Sequence, residues 1–217
     1  ALWSNIMYNK NVAVSLLKKM NEFDHINAFE NESISLNYKQ FGRLVGAIVI
    51  NLKEKKVSHG ALLGIYTNDP RLAIAGALAA NWLGIPWIEV NYEALNTESF
   101  KITHTLCLIS DSDKFQHNRK LVVTDEWMND ERIDYWEKIY PFEGFITSKT
   151  IARVKQSSGT TGRKKFILCT AENEYNDYNN DYYYSNTRRK LVCLLPPLSA
   201  GGFNARLRNL LLGGTNI

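Results

Sequence analysis

Residues 61–90 read ALLGIYTNDPRLAIAGALAANWLGIPWIEV, and this stretch decides the fold. Residues 61–66 are a short apolar run suited to a buried strand. Asp69-Pro70 then supplies a helix N-cap and a first-turn proline, where the missing N–H costs nothing. Leu72, Ile74, Ala75, Leu78, Ala79, Trp82 and Leu83 leave the following helix apolar nearly all round, which predicts that it is buried. Gly84 can end it in the left-handed conformation, and residues 85–90 read as a second strand. Strand, helix and strand within about 30 residues make a βαβ unit, and unbroken apolar strands are those of a parallel sheet buried on both faces.

The neighbouring sequence agrees. Asn37 precedes a helical pattern with Gln40 placed for a capping box, and Phe41, Leu44, Val45, Ile48 and Leu52 follow on one face. That amphipathic helix ends in residues 53–56, where lysines suit its negative pole. Further strands are expected at 104–109, 121–124, 150–155, 165–169 and 191–195, with helices near 131–139, 172–184 and 203–212. The predicted class is therefore α/β, a sheet flanked by helices. No internal repeat or linker interrupts it. Residues 213–217 read as a helix end and the first residues of one more strand, so residues 1–217 are expected to be the N-terminal part of a larger, incomplete domain.

Composition narrows the function classes. The chain has 217 residues, 45% of them hydrophobic and 12% aromatic, enough to bury a full core. Lys plus Arg number 26 against 22 Asp plus Glu, and this scattered +4 gives no reason to expect a nucleic-acid partner. Cys107, Cys169 and Cys193 sit in separate apolar stretches without a CxxC pair and read as buried thiols in a reducing compartment. No apolar run approaches the ~20 residues of a membrane span, and no signal-peptide order opens the chain, so a cytoplasmic location is expected.

One segment concentrates chemistry. Gln156-Ser157-Ser158-Gly159-Thr160-Thr161-Gly162-Arg163-Lys164-Lys165 gathers hydroxyls, glycines and cations between two expected strands. Glycines let the backbone turn its N–H groups onto an anion, hydroxyls add donors, and a lysine adds a point charge. The segment is not a Walker loop, because Lys164 stands where that loop needs its second glycine and a strand rather than a helix follows. On composition alone, a phosphate cradle and a Ser/Gly-rich hairpin both remain open.

The order Ser-Ser-Gly-Thr-Thr-Gly-Arg-x-Lys closely resembles the signature loop of adenylate-forming enzymes, which include acyl- and aryl-CoA ligases and peptide-synthetase adenylation domains. The residues 35–41, 80–87 and 195–203 are similar to other segments of that family in order and spacing. Lys164 replaces the family's usual proline, and Ser199 stands in place of a histidine. The resemblance implies that Ser157, Ser158, Gly159, Thr160, Thr161, Gly162 and Lys165 hold the ATP phosphates, with Thr160, Thr161 and Lys165 acting in catalysis. It implies that Ser199, Gly201 and Gly202 line the substrate pocket, and that the family's segment holding adenine and magnesium has no counterpart here, so no metal ligand is expected within residues 1–217. The implied reaction is AMP-forming activation of a carboxylic acid with ATP and Mg, followed by thioester formation with CoA. An amino-acid adenylation domain and a non-catalytic nucleotide- or partner-binding module are the alternatives. The family's adenine, ribose and C-terminal lysine elements have no counterpart in these residues, so residues 1–217 alone are expected to be inactive.

Lesser signals carry less. Tyr175, Tyr178 and residues 182–184, followed by Arg188, Arg189 and Lys190, read as a half-buried amphipathic helix and a basic turn rather than a nucleic-acid stacking surface. The acidic residues from Asp125 to Glu137 alternate with Trp127, Ile133 and Trp136 and read as a solvated helix face rather than a metal site. His25, His59, His104 and His117 share no ligand spacing.

Overall fold

The computed structural model describes residues 10–57, 60–90, 106–112, 120–142, 146–156, 165–179 and 188–217. Among these, the 61–90 reading holds. Strand β3 (Leu62–Tyr66) leads into helix α3 (Pro70–Trp82) and strand β4 (Trp87–Glu89). Asp69 caps α3 by accepting from the Arg71 amide at 2.8 Å, and Gly84 ends the turn with φ +65°. Every α3 residue from Leu72 to Trp82 is buried, as an all-round apolar helix requires.

β3 lies between β4 and β5 (Leu106–Ser110), with β6 (Lys120–Val122) beyond β5 and β7 (Ile151–Gln156) beyond β4, all parallel. Strand β8 (Phe166–Thr170) closes one edge antiparallel to β7, giving the order β6-β5-β3-β4-β7-β8.

A second sheet was not legible in the sequence. β1 (Asn27–Glu30) and β2 (Ser35–Asn37) form an antiparallel pair, and β10 (Thr215–Asn216) and β9 (Lys190–Leu191) add to β1 in parallel, in the order β2-β1-β10-β9. Between the sheets lie helices α1 (Val12–Glu22), α2 (Tyr38–Glu54), α3 and α6 (Ala200–Leu211). α2 and α6 touch the four-stranded sheet, α3 touches β3 and β4, and α1 and α3 each pack on the other three helices. The expected capping box is present: Asn37 Oδ1 accepts from the Gln40 amide at 2.8 Å, and Gln40 Oε1 from the Asn37 amide at 2.9 Å. Buried Tyr38 ties α2 to α6 by donating to the Leu210 and Gly214 carbonyls at 2.9 and 2.7 Å.

Two segments differ from the sequence reading. Residues 131–139 form a 3-10 turn (Glu131–Tyr135) and a four-residue helix α4 (Trp136–Ile139) rather than one α-helix. Tyr135 breaks the run at φ −141°, which lets Trp136 reach Gly46 on α2 and stack edge-on against Trp82 at 5.0 Å. The strand expected at 191–195 stops at Leu191, where its pairing with β10 ends. Beyond it, Val192 and Leu194 are exposed and Cys193 is half-buried rather than buried.

Candidate functional site

The expected phosphate loop hangs from a β-hairpin. β7 and β8 pair from Ile151↔Thr170 to Gln156↔Phe166, so residues 157–165 connect two antiparallel strands, as the strand–loop–strand reading requires. Ser157, Ser158, Gly159, Thr160, Thr161 and Gly162 lie outside the described residues. Lys165 is exposed and directly precedes β8. β7 runs parallel to β4 and β3, so the loop departs from the carboxyl edge of the parallel strands, the edge on which open α/β sheets bind ligands. Gln156 Nε2 donates to the Glu89 carbonyl at 3.5 Å, joining the loop base to the carboxyl end of β4.

Beneath that base is a charged cluster that sequence reasoning missed. Arg153 and Lys155 alternate onto one face of β7. Helix α5 (Ala171–Asn179) follows β8 directly and places Glu174 against both: Lys155 Nζ lies 2.9 Å from Glu174 Oε1, and Arg153 lies 3.9 Å from Oε2. Tyr178, one turn along α5, donates to the same carboxylate, and Lys155 also reaches Asp177 at 3.2 Å. The Arg153 guanidinium stacks on Trp87 and Phe203, 4.3 and 4.9 Å from their ring centroids. Arg153 and Glu174 are 3% and 1% exposed, so these are charges in the interior rather than a surface pair. Burial opposes the charge on Lys155, but the Glu174 and Asp177 carboxylates outweigh it and hold the ammonium above its ordinary range. Burial and the adjacent Glu174 likewise keep the Tyr178 phenol protonated well above its usual value. Locally Ile151–Gln156 is only a strand; the partners on β4, α5 and α6 bring its two cations into a cluster.

The expected pocket residues stand at the start of α6. Ser199 is its N-cap: its Oγ accepts from the Gly202 amide at 3.1 Å and donates to the Pro196 carbonyl at 2.8 Å. Gly202 is buried with its Cα facing that carbonyl; a Cβ there would lie 2.2 Å from the oxygen. Gly201 is exposed, and its nearest neighbour is the tip of Leu195. Arg206 fastens the preceding segment by donating to the Cys193, Leu195 and Gly202 carbonyls. Phe203 packs on Trp87, 4.8 Å between centroids, so this turn and the loop strand β7 meet through Arg153.

A cleft of about 270 Å³ opens at the carboxyl ends of β3, β5 and β6, with Leu44, Leu72 and Met128 as apolar wall. Its charged groups have partners: Arg71 pairs with Asp69, and Asp111 accepts from Thr67 at 2.7 Å. Arg188 stacks on Phe23 at 4.0 Å and Lys190 pairs with Glu30 at 3.2 Å. Residues 182–184, His59, His104 and His117 lie outside the described residues.

No family model matches the sequence, and no curated protein does. Solved structures share the fold. O-succinylbenzoate coenzyme A synthetase from Bacillus subtilis, in complex with AMP, superposes with a TM-score of 0.71 at 17% identity, over 93% of this chain and 54% of that one. The N-terminal subdomain of NpsA from Klebsiella oxytoca gives 0.70 at 17%, over 95% and 54%. VinN in complex with L-aspartate gives 0.73 at 14%, over 95% and 61%. The α/β expectation and the expected fold are thus met, and the chain spans little more than half the length of these proteins.

Proposed function

We propose that this chain is the N-terminal part of an adenylate-forming enzyme, an AMP-forming ligase that activates a carboxylic acid with ATP. What carries the reading is the order Ser157 to Lys165 on a hairpin leaving the carboxyl end of β7, within a fold shared with a synthetase solved with AMP and with an acyl-adenylate intermediate. In this reaction a substrate carboxylate oxygen bonds to the α-phosphorus as the bond to the β-phosphate oxygen breaks, and pyrophosphate leaves. Backbone N–H groups freed by Gly159 and Gly162, the hydroxyls of Ser157, Ser158, Thr160 and Thr161, and the Lys165 ammonium then face the negative charge gathering on the departing phosphates. Magnesium, if bound with the nucleotide, would supply charge neutralisation at its phosphates.

In the second half-reaction a thiol sulfur attacks the acyl carbonyl and AMP leaves. CoA is the proposed thiol, by likeness to a synthetase solved with a CoA-conjugate analogue. An amino-acid adenylating enzyme is the second reading, favoured by the likeness to VinN with L-aspartate; a non-catalytic nucleotide-binding module is the third. The turn of Ser199, Gly201 and Gly202 is proposed as pocket wall; with Ser199 capping and Gly202 against a carbonyl, Gly201 is the position left to face a substrate. A reducing, cytoplasmic setting and partners limited to ATP, the acid and the thiol, without nucleic acid, complete the proposal; no described helix is long and apolar enough to cross a membrane.

The test is pyrophosphate release by the native full-length polypeptide across carboxylic and amino acids. Gly159→Val and Gly162→Val should each lower turnover by about 10² to 10³ with the melting temperature unchanged. Unchanged turnover would remove the loop from the mechanism.

A further inference from the structure

We propose that Lys155, Glu174 and Arg153 form a positioning unit that holds the phosphate loop at its base. The inference rests on the reading of residues 157–165 as a phosphate grip and adds residues that do not themselves touch the nucleotide.

The ladder gives the loop an unequal footing. Among the described residues β7 pairs with β4 only at Arg153↔Trp87 and Val154↔Ile88, so Lys155 and Gln156 have no ladder partner there on that side, and Gln156 reaches β4 by its side chain. On the other side is β8, an edge strand whose Phe166, Ile167 and Leu168 are exposed. A hairpin end held by one edge strand is free to twist and fray. The side chains supply what the ladder lacks. Lys155, next to last in β7, is bound by Glu174 and Asp177 of α5, and α5 begins immediately after β8. β7, loop, β8 and α5 therefore close into a ring fastened by the Lys155–Glu174 ion pair. Arg153 anchors the same ring to β4 and α6 through Trp87 and Phe203.

Stability alone is a poor explanation for such a cluster. Buried ion pairs recover little more than their desolvation cost, and apolar replacements are often as stable, whereas fixed geometry is a use that a buried pair can serve. A direct role for Lys155 as phosphate ligand is the main rival, but its ammonium is already held by two carboxylates, and the two roles predict opposite results for Glu174. Freeing a direct ligand from Glu174 leaves ATP affinity intact or improves it; cutting a positioning strut lowers it.

Steady-state kinetics of the native full-length polypeptide separate these cases. Lys155→Met and Glu174→Gln should each raise KM for ATP by about tenfold, the effect of one lost close ion pair, with KM for the carboxylic acid unchanged. The double variant should be no worse than either single one, because both cut the same strut, and Lys155→Arg should recover most of the loss. A folded Glu174→Gln with the parent KM for ATP overturns the proposal, whether or not Lys155→Met raises it. If Glu174→Gln does not fold, Asp177→Asn, at the exposed partner of Lys155, replaces it and is scored in the same way. Gly159→Val is measured alongside. An unchanged KM for ATP in that variant removes the loop reading and this proposal together; a raised value, with Lys155→Met and Glu174→Gln unchanged, overturns the positioning unit alone.

Discussion

Gly202→Ala should destabilise the protein although it puts a better helix former into α6. At an unconstrained helix position the change would favour the fold by up to about 1 kcal/mol. Here the new methyl would lie 2.2 Å from the Pro196 carbonyl oxygen and 2.9 Å from Ser199 Oγ. The first contact is with backbone, so no side-chain rotation relieves it. Either α6 or the 196–199 turn must move, at the 1–3 kcal/mol typical of overpacking, and movement also breaks the Ser199 cap, which contributes about 1 kcal/mol. The net expectation is a loss of about 2 kcal/mol, or roughly 4–8 °C in melting temperature for a domain of this size. Gly201→Ala is the control. Its methyl meets only the tip of Leu195 at 2.9 Å, in an exposed position, and a small rotation clears it. Thermal and urea unfolding of the two variants should separate them by at least 3 °C, a gap that follows from the same overpacking cost. Equal stability would show that the close approach of Gly202 to Pro196 is wrong. For the same reason substrate preference is better probed at Gly201, since a bulky residue at Gly202 would damage the turn before it reshaped a pocket.

Two further outcomes follow from the described contacts. Tyr38→Phe takes the phenol donor from the Gly214 carbonyl, while the Leu210 carbonyl keeps the Gly213 amide at 2.9 Å, and should cost about 1–3 kcal/mol in urea unfolding; a neutral result would remove the α2–α6 tie. Because the folded-state pKa of Lys155 is raised, its ion pairs contribute fully below its unfolded value of about 10.4 and are lost as pH rises through the folded value. Stability should therefore fall above about pH 10 and fall less in Lys155→Met; parallel curves for the two proteins would contradict this.

Sequence determined whatever depended on neighbours along the chain. The Asp69 cap, the Asn37–Gln40 capping box, the turn at Gly84 and the buried α3 were legible because each is set within one or two helical turns. The strand–loop–strand setting of the 157–165 motif was legible for the same reason, as short runs rich in apolar residues on either side of a glycine-rich break. Helix α1 is set just as locally: Asn11 accepts from the Ala13 amide at 2.9 Å, and Val12, Leu16, Leu17 and Met20 bury one face. Tertiary structure decided the rest. The second sheet joins β1 to β10 through Phe29↔Asn216, residues from opposite ends of the chain, and strands of four and two residues carry too little periodicity to announce such a pairing. The apolar residues after Leu191 read as a strand but lack a ladder partner, so their carbonyls turn to Arg206 and their side chains to the surface. Arg153 and Lys155 carry no local signal of a special role. They become the support of the loop, Arg153 buried and Lys155 half-buried, only because the fold brings Trp87, Glu174 and Phe203 around them, and the dielectric that makes those charges matter belongs to the packed interior and not to any local run of residues.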